Sequence, residues 1–230
     1  MRNTFILNLI LRITVYVVIL ASLLFVPAGT LAWPRAWLYV GAMYLGMVAL
    51  IIHLDRTDRE LLVERAKPRR QKGQPLSDQI ILQALIAAYH GQIVFISLDV
   101  FRFHLLPRPS WIVSSLGLAI YLIGWRIVYL SLRANTFASP VVKLQDERGH
   151  SVVDVGVYSV VRHPMYSGAI LIVVGLPLCL ESYAGAMLGI IPIAVVALRC
   201  VLEEKFLRQN LSGYAEYTRR VRFRMIPYLW

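Results

Sequence analysis

Six apolar runs, each close to the length that crosses a hydrocarbon layer, constrain this chain more than any other feature. They lie at roughly Phe5–Val26, Ala36–Leu54, Gln79–Leu98, Trp111–Leu132, Pro164–Leu180 and Ala184–Leu202, the fifth being short. In hydrocarbon every backbone N–H and C=O needs an internal partner, so such runs read as helices. The chain is 58% hydrophobic and only 16% charged, too apolar for a soluble domain. The expectation is an all-α integral membrane protein with about six transmembrane helices, ending in a C-terminal helical hairpin. No repeat of 20–50 residues and no low-complexity linker breaks the chain, so a single domain over 1–230 is expected, with spans 1–4 in 1–134.

Charge orients the spans. The net charge is +11, which by itself suggests nucleic acid. Nineteen of the 24 Lys and Arg fall on one side: the N-terminus, the segment Asp55–Asp78, the connection Arg133–Arg162 and the tail from Arg199. Arg35, Arg102 and Arg108 fall on the other, and Arg12 and Arg126 lie within spans. This asymmetry predicts both termini in the cytoplasm and accounts for the basicity without nucleic acid. Arg2 precedes the first apolar run without a convincing small-residue cleavage site, so that run reads as a retained span. Cys179 and Cys200 fall near opposite ends of the last hairpin, with neither disulfide nor metal-ligand spacing. The segment Asp55–Ala66 reads as a surface helix, and Pro68, Gly73 and Pro75 interrupt the stretch between it and the third span. Span 3 is polar for a membrane helix. His90 and Gln92 are expected to face the bundle interior, as packing residues or as the lining of a substrate route. Gly185 and Gly189 permit close packing of the last hairpin.

Chemistry concentrates where the fifth span begins. Val161-Arg162-His163-Pro164-Met165-Tyr166-Ser167-Gly168 joins a polar loop to an apolar run. Pro164 suits the first turn of a helix, which holds Arg162 and His163 at its N-terminal end. A cation and a titratable ring there are placed to meet an anionic or polar ligand, though Arg162 reads equally as a positive-inside anchor. Glu203 and Glu204 follow the last span, against both the positive-inside trend and the helix dipole. Something must offset them: Arg162, Arg199, Arg208 or a cationic ligand. If the last two spans form a hairpin, these acids and His163 lie at one depth.

Read together, these pieces resemble a known family. Gln145-Asp146-Glu147-Arg148-Gly149-His150, Gly156-Val157-Tyr158, the Arg162-His163-Pro164 octet, Glu203-Glu204-Lys205-Phe206-Leu207, and Gly213-Tyr214-Ala215-Glu216-Tyr217 resemble the isoprenylcysteine carboxyl methyltransferases. The likeness is to a bacterial branch of a superfamily that also holds phospholipid N-methyltransferases. It runs from about Asn135 to Trp230 and marks 135–230 as the methyltransferase-like core. Gly156-Val157-Tyr158 stands where Gly-Pro-Tyr is more usual, which loosens a turn and removes no functional group.

The resemblance implies an enzyme using S-adenosyl-L-methionine in a pocket at the cytoplasmic face. Carried onto this sequence, Gln145, Tyr158, His163, Pro164, Tyr166, Glu203 and Glu204 bind or shape the cofactor site. Glu204, Arg208 and Arg162 are candidate catalytic residues, and Tyr214 and Tyr217 candidates for closing the pocket. The residue types suit the ligand. Carboxylates match an ammonium or sulfonium, Arg162 or His163 matches a carboxylate, and a tyrosine ring covers adenine or the sulfonium. No metal site is expected. The partners expected are a lipophilic or lipidated substrate and membrane lipids. A carboxylate acceptor needs no general base, and no Asp-His or Cys-His pair with an evident base role appears, which favours O-methylation or a readily ionised thiol. Two alternatives stand beside this reading: an NADPH-dependent sterol or polyprenyl reductase of the same superfamily, and a non-catalytic membrane transport protein. The bacterial inner membrane is the expected location.

Overall fold

A computed structural model describes residues 2–230 and shows only helices, turns and loops among them. The long helices are α1 (Arg2–Ala28), α2 (Pro34–Thr57), α4 (Leu76–Leu98) and α5 (Trp111–Ala134), with the short α3 (Arg59–Ala66) between α2 and α4. After the loop 135–163 come α6 (Pro164–Cys179), α7 (Tyr183–Leu188), α8 (Ile190–Asn210) and α9 (Tyr214–Arg220). Five stretches are long and apolar enough to cross a membrane: α1, α2, α4 with its π-helical end at Phe103, α5, and Tyr183–Asn210. The sixth apolar helix, α6, has 16 residues. At 1.5 Å per residue it reaches ~24 Å, the shortest of the six apolar runs.

Local chemistry sets the boundaries. Pro34 and Pro164 open α2 and α6, where a missing N–H costs nothing. Asp58 caps α3 through the amide of Leu61, and Ser110 caps α5 through that of Val113. Leu7, Leu11, Leu45, Ile80, Leu116 and Ile190 are exposed on the helix surfaces, as a chain solvated by lipid requires. The core instead joins Leu20 and Leu24 of α1, Tyr39 and Met43 of α2, Ile93 and Ile96 of α4, Tyr121 of α5, and Ile172 and Leu176 of α6.

The tightest seam is between α5 and α6. A Cβ on Gly168 would come within 2.6 Å of the Gly124 carbonyl oxygen, and one on Gly175 within 2.5 Å of the Tyr121 amide. Gly117 and Gly124 on α5 thus face Gly175 and Gly168 on α6, and the two backbones touch. The expected C-terminal hairpin is splayed. The segments α6 and α8 are joined by a tight turn through Glu181, which takes a left-handed φ of 69°, and they meet at their polar ends. Along their lengths, however, α6 packs chiefly on α5, and α8 chiefly on α4. Gly185 and Gly189 also serve packing, but against Ile96 and Gln92 of α4 and Val173 of α6. The Gln92 amide donates to the carbonyls of Val173 and Gly185, and His90 Nδ1 meets the Ile86 carbonyl at 2.7 Å. Both act as braces between or within helices. Cys179 and Cys200 are buried and free.

Candidate active site

The seam octet, the end of α8 and the tail converge on one buried charge cluster. Arg162 Nε donates to Glu204 Oε1 at 2.5 Å, and Arg224 Nε donates to Glu204 Oε2 at 2.9 Å. His163 Nε2 lies 3.4 Å from Glu204 Oε1 and 3.5 Å from the Tyr214 hydroxyl. The Glu204 side chain is only 4% exposed, so both its oxygens are spent on protein cations. These are the groups that offset the acids at the end of α8. Arg162 was one expected partner, and Arg224 a further one that the tail sequence did not advertise. Arg199 goes elsewhere: its Nε donates to Asp78 Oδ1 at 3.0 Å, and its Nη2 to the Pro140 carbonyl.

The tail is bound as a strap. Arg162 also donates to the carbonyls of Val221 and Arg222, while the amides of Arg162 and His163 donate to those of Phe223 and Arg224. Ser167 Oγ donates to the Met225 carbonyl. Tyr217 reaches back to the Tyr158 carbonyl at 2.7 Å. Together these bonds hold 221–225 against the start of α6.

Beside this cluster lies a cavity of about 380 Å³. Its polar lining includes Tyr158, Arg162, His163, Tyr166, Glu203, Tyr214 and Tyr217, with His150 and Asn135 from the loop. Leu82, Leu85, Ile86, Val128, Met165 and Ala169 supply apolar walls. Glu203 and Glu204, adjacent in sequence, are divided by the helix. Glu204 turns into the ion cluster, whereas Glu203 lines the cavity and accepts a hydrogen bond from the Tyr166 hydroxyl. The His163 and Tyr166 rings stack with centroids 5.5 Å apart, and the Arg199 guanidinium lies 5.9 Å from the Tyr166 ring.

Electrostatics follow from burial. Burial opposes the imidazolium of His163, but hydrogen bonding to the Cys200 sulfur and to Glu204, with the charge of Glu203, outweighs it and pushes the pKa up to about 10. Burial, with Glu204 and Glu203 nearby, holds Tyr214 well above the ordinary phenol range, and burial pushes Tyr158 up to about 12. Burial lowers His150, whose Nδ1 is buried without a hydrogen-bond partner.

The remaining sequence candidates sit outside this cavity. Gln145 donates to the Phe137 carbonyl and accepts from Arg148, stitching the loop 135–150. Pro164 is buried as the first residue of α6. Arg208 points to solvent from α8, with no ion-pair partner among the described residues. Sequence reasoning missed Arg65, Arg69 and Lys143, which line the cavity from the N-terminal half and from the loop. The only signal was their place in polar connections, Arg65 and Arg69 in the segment Asp55–Asp78 and Lys143 in the connection Arg133–Arg162.

Residues 112–213 match a family model described as phospholipid methyltransferase. Protein-S-isoprenylcysteine O-methyltransferase B of Arabidopsis thaliana is 30% identical over 117 residues, half of this chain and 59% of the relative. A probable protein-S-isoprenylcysteine O-methyltransferase of Oryza sativa subsp. indica is 32% identical over 126 residues, 61% of its own length. The chain thus spans about three-fifths of these relatives. Residues 112–213, which carry α5, the cavity loop, α6 and the acids of α8, are thus similar to phospholipid methyltransferases, and the relatives that share about half of this chain are named for isoprenylcysteine O-methylation.

Proposed function

We propose that the protein is an integral membrane methyltransferase that uses S-adenosyl-L-methionine and O-methylates a carboxylate on an isoprenylcysteine-like substrate. The observation that carries this reading is the division of Glu203 from Glu204: one acid is locked in an ion cluster, and the other is left facing a cavity of ligand size. The residues present fit the donor. Glu203 suits its ammonium or sulfonium, His163 as an imidazolium suits its carboxylate, and the tyrosines suit its adenine. His150 Nδ1, buried and unpartnered, is a further polar group that a ligand would satisfy. When bound, the donor supplies a methyl group without its bonding electron pair, which stays on sulfur while an acceptor lone pair forms the new bond.

The chain's own residues then have two tasks. Glu203, His163 and Tyr166 orient the reactants, and the buried cluster with the tail strap keeps water out. No base is needed if the acceptor is already a carboxylate. Glu204, Arg162 and Arg224 act by fixing His163 and the strap, so their catalytic effect is indirect. Arg208, on the solvent side of α8, takes no part in this scheme. Gln145 and Pro164 act through the loop and the helix start they stabilise.

The relatives' names favour a methyl donor over a nicotinamide, and a chemical site over a transport path. We place the cavity and both termini on the cytoplasmic side of a bacterial inner membrane, because nineteen of the 24 cations flank that face. The test is binding of S-adenosyl-L-methionine and of NADPH to the detergent-solubilised protein by calorimetry. Binding of the methyl donor, weakened at least tenfold (about 1.4 kcal/mol) in Glu203→Gln, supports the reading. Binding of NADPH alone overturns it.

A further inference from the structure

The cavity carries more positive charge than a methyl donor uses. Five Arg or Lys side chains line it: Arg65, Arg69, Lys143, Arg162 and Arg199. Three are neutralised within the protein. Arg162 pairs with Glu204, Arg199 with Asp78, and Lys143 with Glu64 at 2.7 Å. Arg65 is different. Its Nη1 donates to the Ala138 carbonyl at 2.8 Å, and among the described residues it makes no ion pair. It is only partly accessible to solvent, and burial lowers its pKa, so its charge is held at a cost that a carbonyl, and no carboxylate among the described residues, offsets. Arg69, one turn beyond the end of α3, is exposed and likewise unpaired among the described residues.

Position separates these two guanidinium groups from the donor residues. The helix α3 lies outside the matched stretch 112–213, which holds Glu203, His163 and Tyr166. Leu61, Leu62 and Ala66 of α3 pack in one apolar cluster with Leu132, Ala138, Val128 and Met165. Val128 is also a wall of a second hollow, of about 540 Å³, between α2 and α5, lined by Met43, Gly46, Met47, Trp125 and Leu132. Lipid-facing apolar surface and the cavity therefore share a wall beside α3.

Resting on the methyltransferase reading above, we propose that Arg65, with Arg69 at the mouth, receives the anionic head of the methyl acceptor while the acceptor's hydrocarbon lies along the Val128 wall. A guanidinium offers a planar fork that matches carboxylate and phosphate oxygens, and in a half-desolvated cavity that pairing is strong. Arg65 thereby selects acceptors by charge and sets the depth at which the reacting oxygen stops. The N-terminal half contributes acceptor choice, and the matched half contributes the donor site.

The experiment measures binding to the full chain in detergent micelles. The probes are an N-acetylated S-farnesylcysteine, its neutral carboxamide, farnesyl phosphate and S-adenosyl-L-methionine. The wild type is expected to bind at least one anionic probe tenfold or more tighter than the carboxamide, the stronger of the two showing whether the head is carboxylate or phosphate. Arg65→Gln is expected to abolish that preference, Arg65→Lys to restore part of it, and both to bind the methyl donor as the wild type does. Unchanged charge preference in Arg65→Gln overturns the proposal, as does the absence of any preference in the wild type. Loss of donor binding in Arg65→Gln with the anion preference intact assigns Arg65 to the donor and overturns the proposal alone. Failure of the wild type to bind the donor overturns the methyltransferase reading itself. Donor binding by Arg65→Lys at wild-type affinity shows that the site remains folded.

Discussion

Glu204 shows why neighbouring residues of one type take different tasks. An α-helix turns about 100° per residue, so Glu203 and Glu204 cannot face the same wall. One enters a cage of Arg162, Arg224 and His163, and the other opens on the cavity. Removing one partner of such a buried pair leaves an uncompensated charge. Arg162→Ala is therefore expected to destabilise the fold by about 3–5 kcal/mol, read as a lower unfolding midpoint in denaturant. Glu203→Gln, whose carboxylate has only the Tyr166 hydroxyl as hydrogen-bond partner among the described residues, is expected to leave that midpoint nearly unchanged. His163 makes a prediction in pH. Its pKa is raised from 6.5 to about 10, so the folded state binds the proton more tightly than the unfolded chain. Its contribution to stability is complete below about pH 6.5 and is lost as the pH rises through about 10. Unfolding midpoints taken across that window should fall with pH, and fall less in His163→Gln. The need for a counterion to the paired acids was legible from their place at a helix C-terminus. The identity of Arg224 as one of them was not, because it depends on a strap folding back over twenty residues.

At the scale of elements, the α5–α6 seam positions the whole site. Gly168 belongs to the octet that begins α6, and its bare Cα lets α6 rest on the backbone of α5 at Gly124. Any larger side chain at Gly168 would meet the Gly124 carbonyl and the Val128 side chain, so the helices must part. Gly168→Leu is expected to cost about 1–3 kcal/mol or more and to lower donor affinity, because Tyr166 and Met165 move with α6. Thermal unfolding together with donor titration checks both effects. The spacing of glycines on α5 and α6 was present in the sequence. It stayed mute, because nothing in one chain says which helix a smooth face will meet. The Gly185–Gly189 pair drew attention by its short spacing, yet it serves contacts to α4 and α6 from a break between α7 and α8. The start of α6 at Pro164 was legible, since proline chemistry is local.

For the whole molecule, the cavity draws its lining from the three cation-rich stretches, with Arg65 and Arg69 from Asp55–Asp78, Lys143 and Arg162 from the loop, and Arg199 from the chain that leads into the tail. Single cysteines placed at Arg70 and Arg222, in a background with Cys179 and Cys200 replaced by serine, are expected to react with a membrane-impermeant maleimide only when the cytoplasmic face is open. A cysteine at Arg108 should show the opposite pattern. Labelling of the Arg70 and Arg222 positions from opposite sides would contradict the assigned orientation. Helical class and the places of the apolar runs are determined by the sequence alone, because hydrophobic length acts on each segment separately. The tertiary structure alone decided that Glu204 is caged while Glu203 faces the cavity, that α6 rests on α5, and that Arg65 reaches the cavity from the other half of the chain. Those facts arise between segments distant in sequence, where packing geometry and desolvation choose among partners that composition and periodicity leave equivalent.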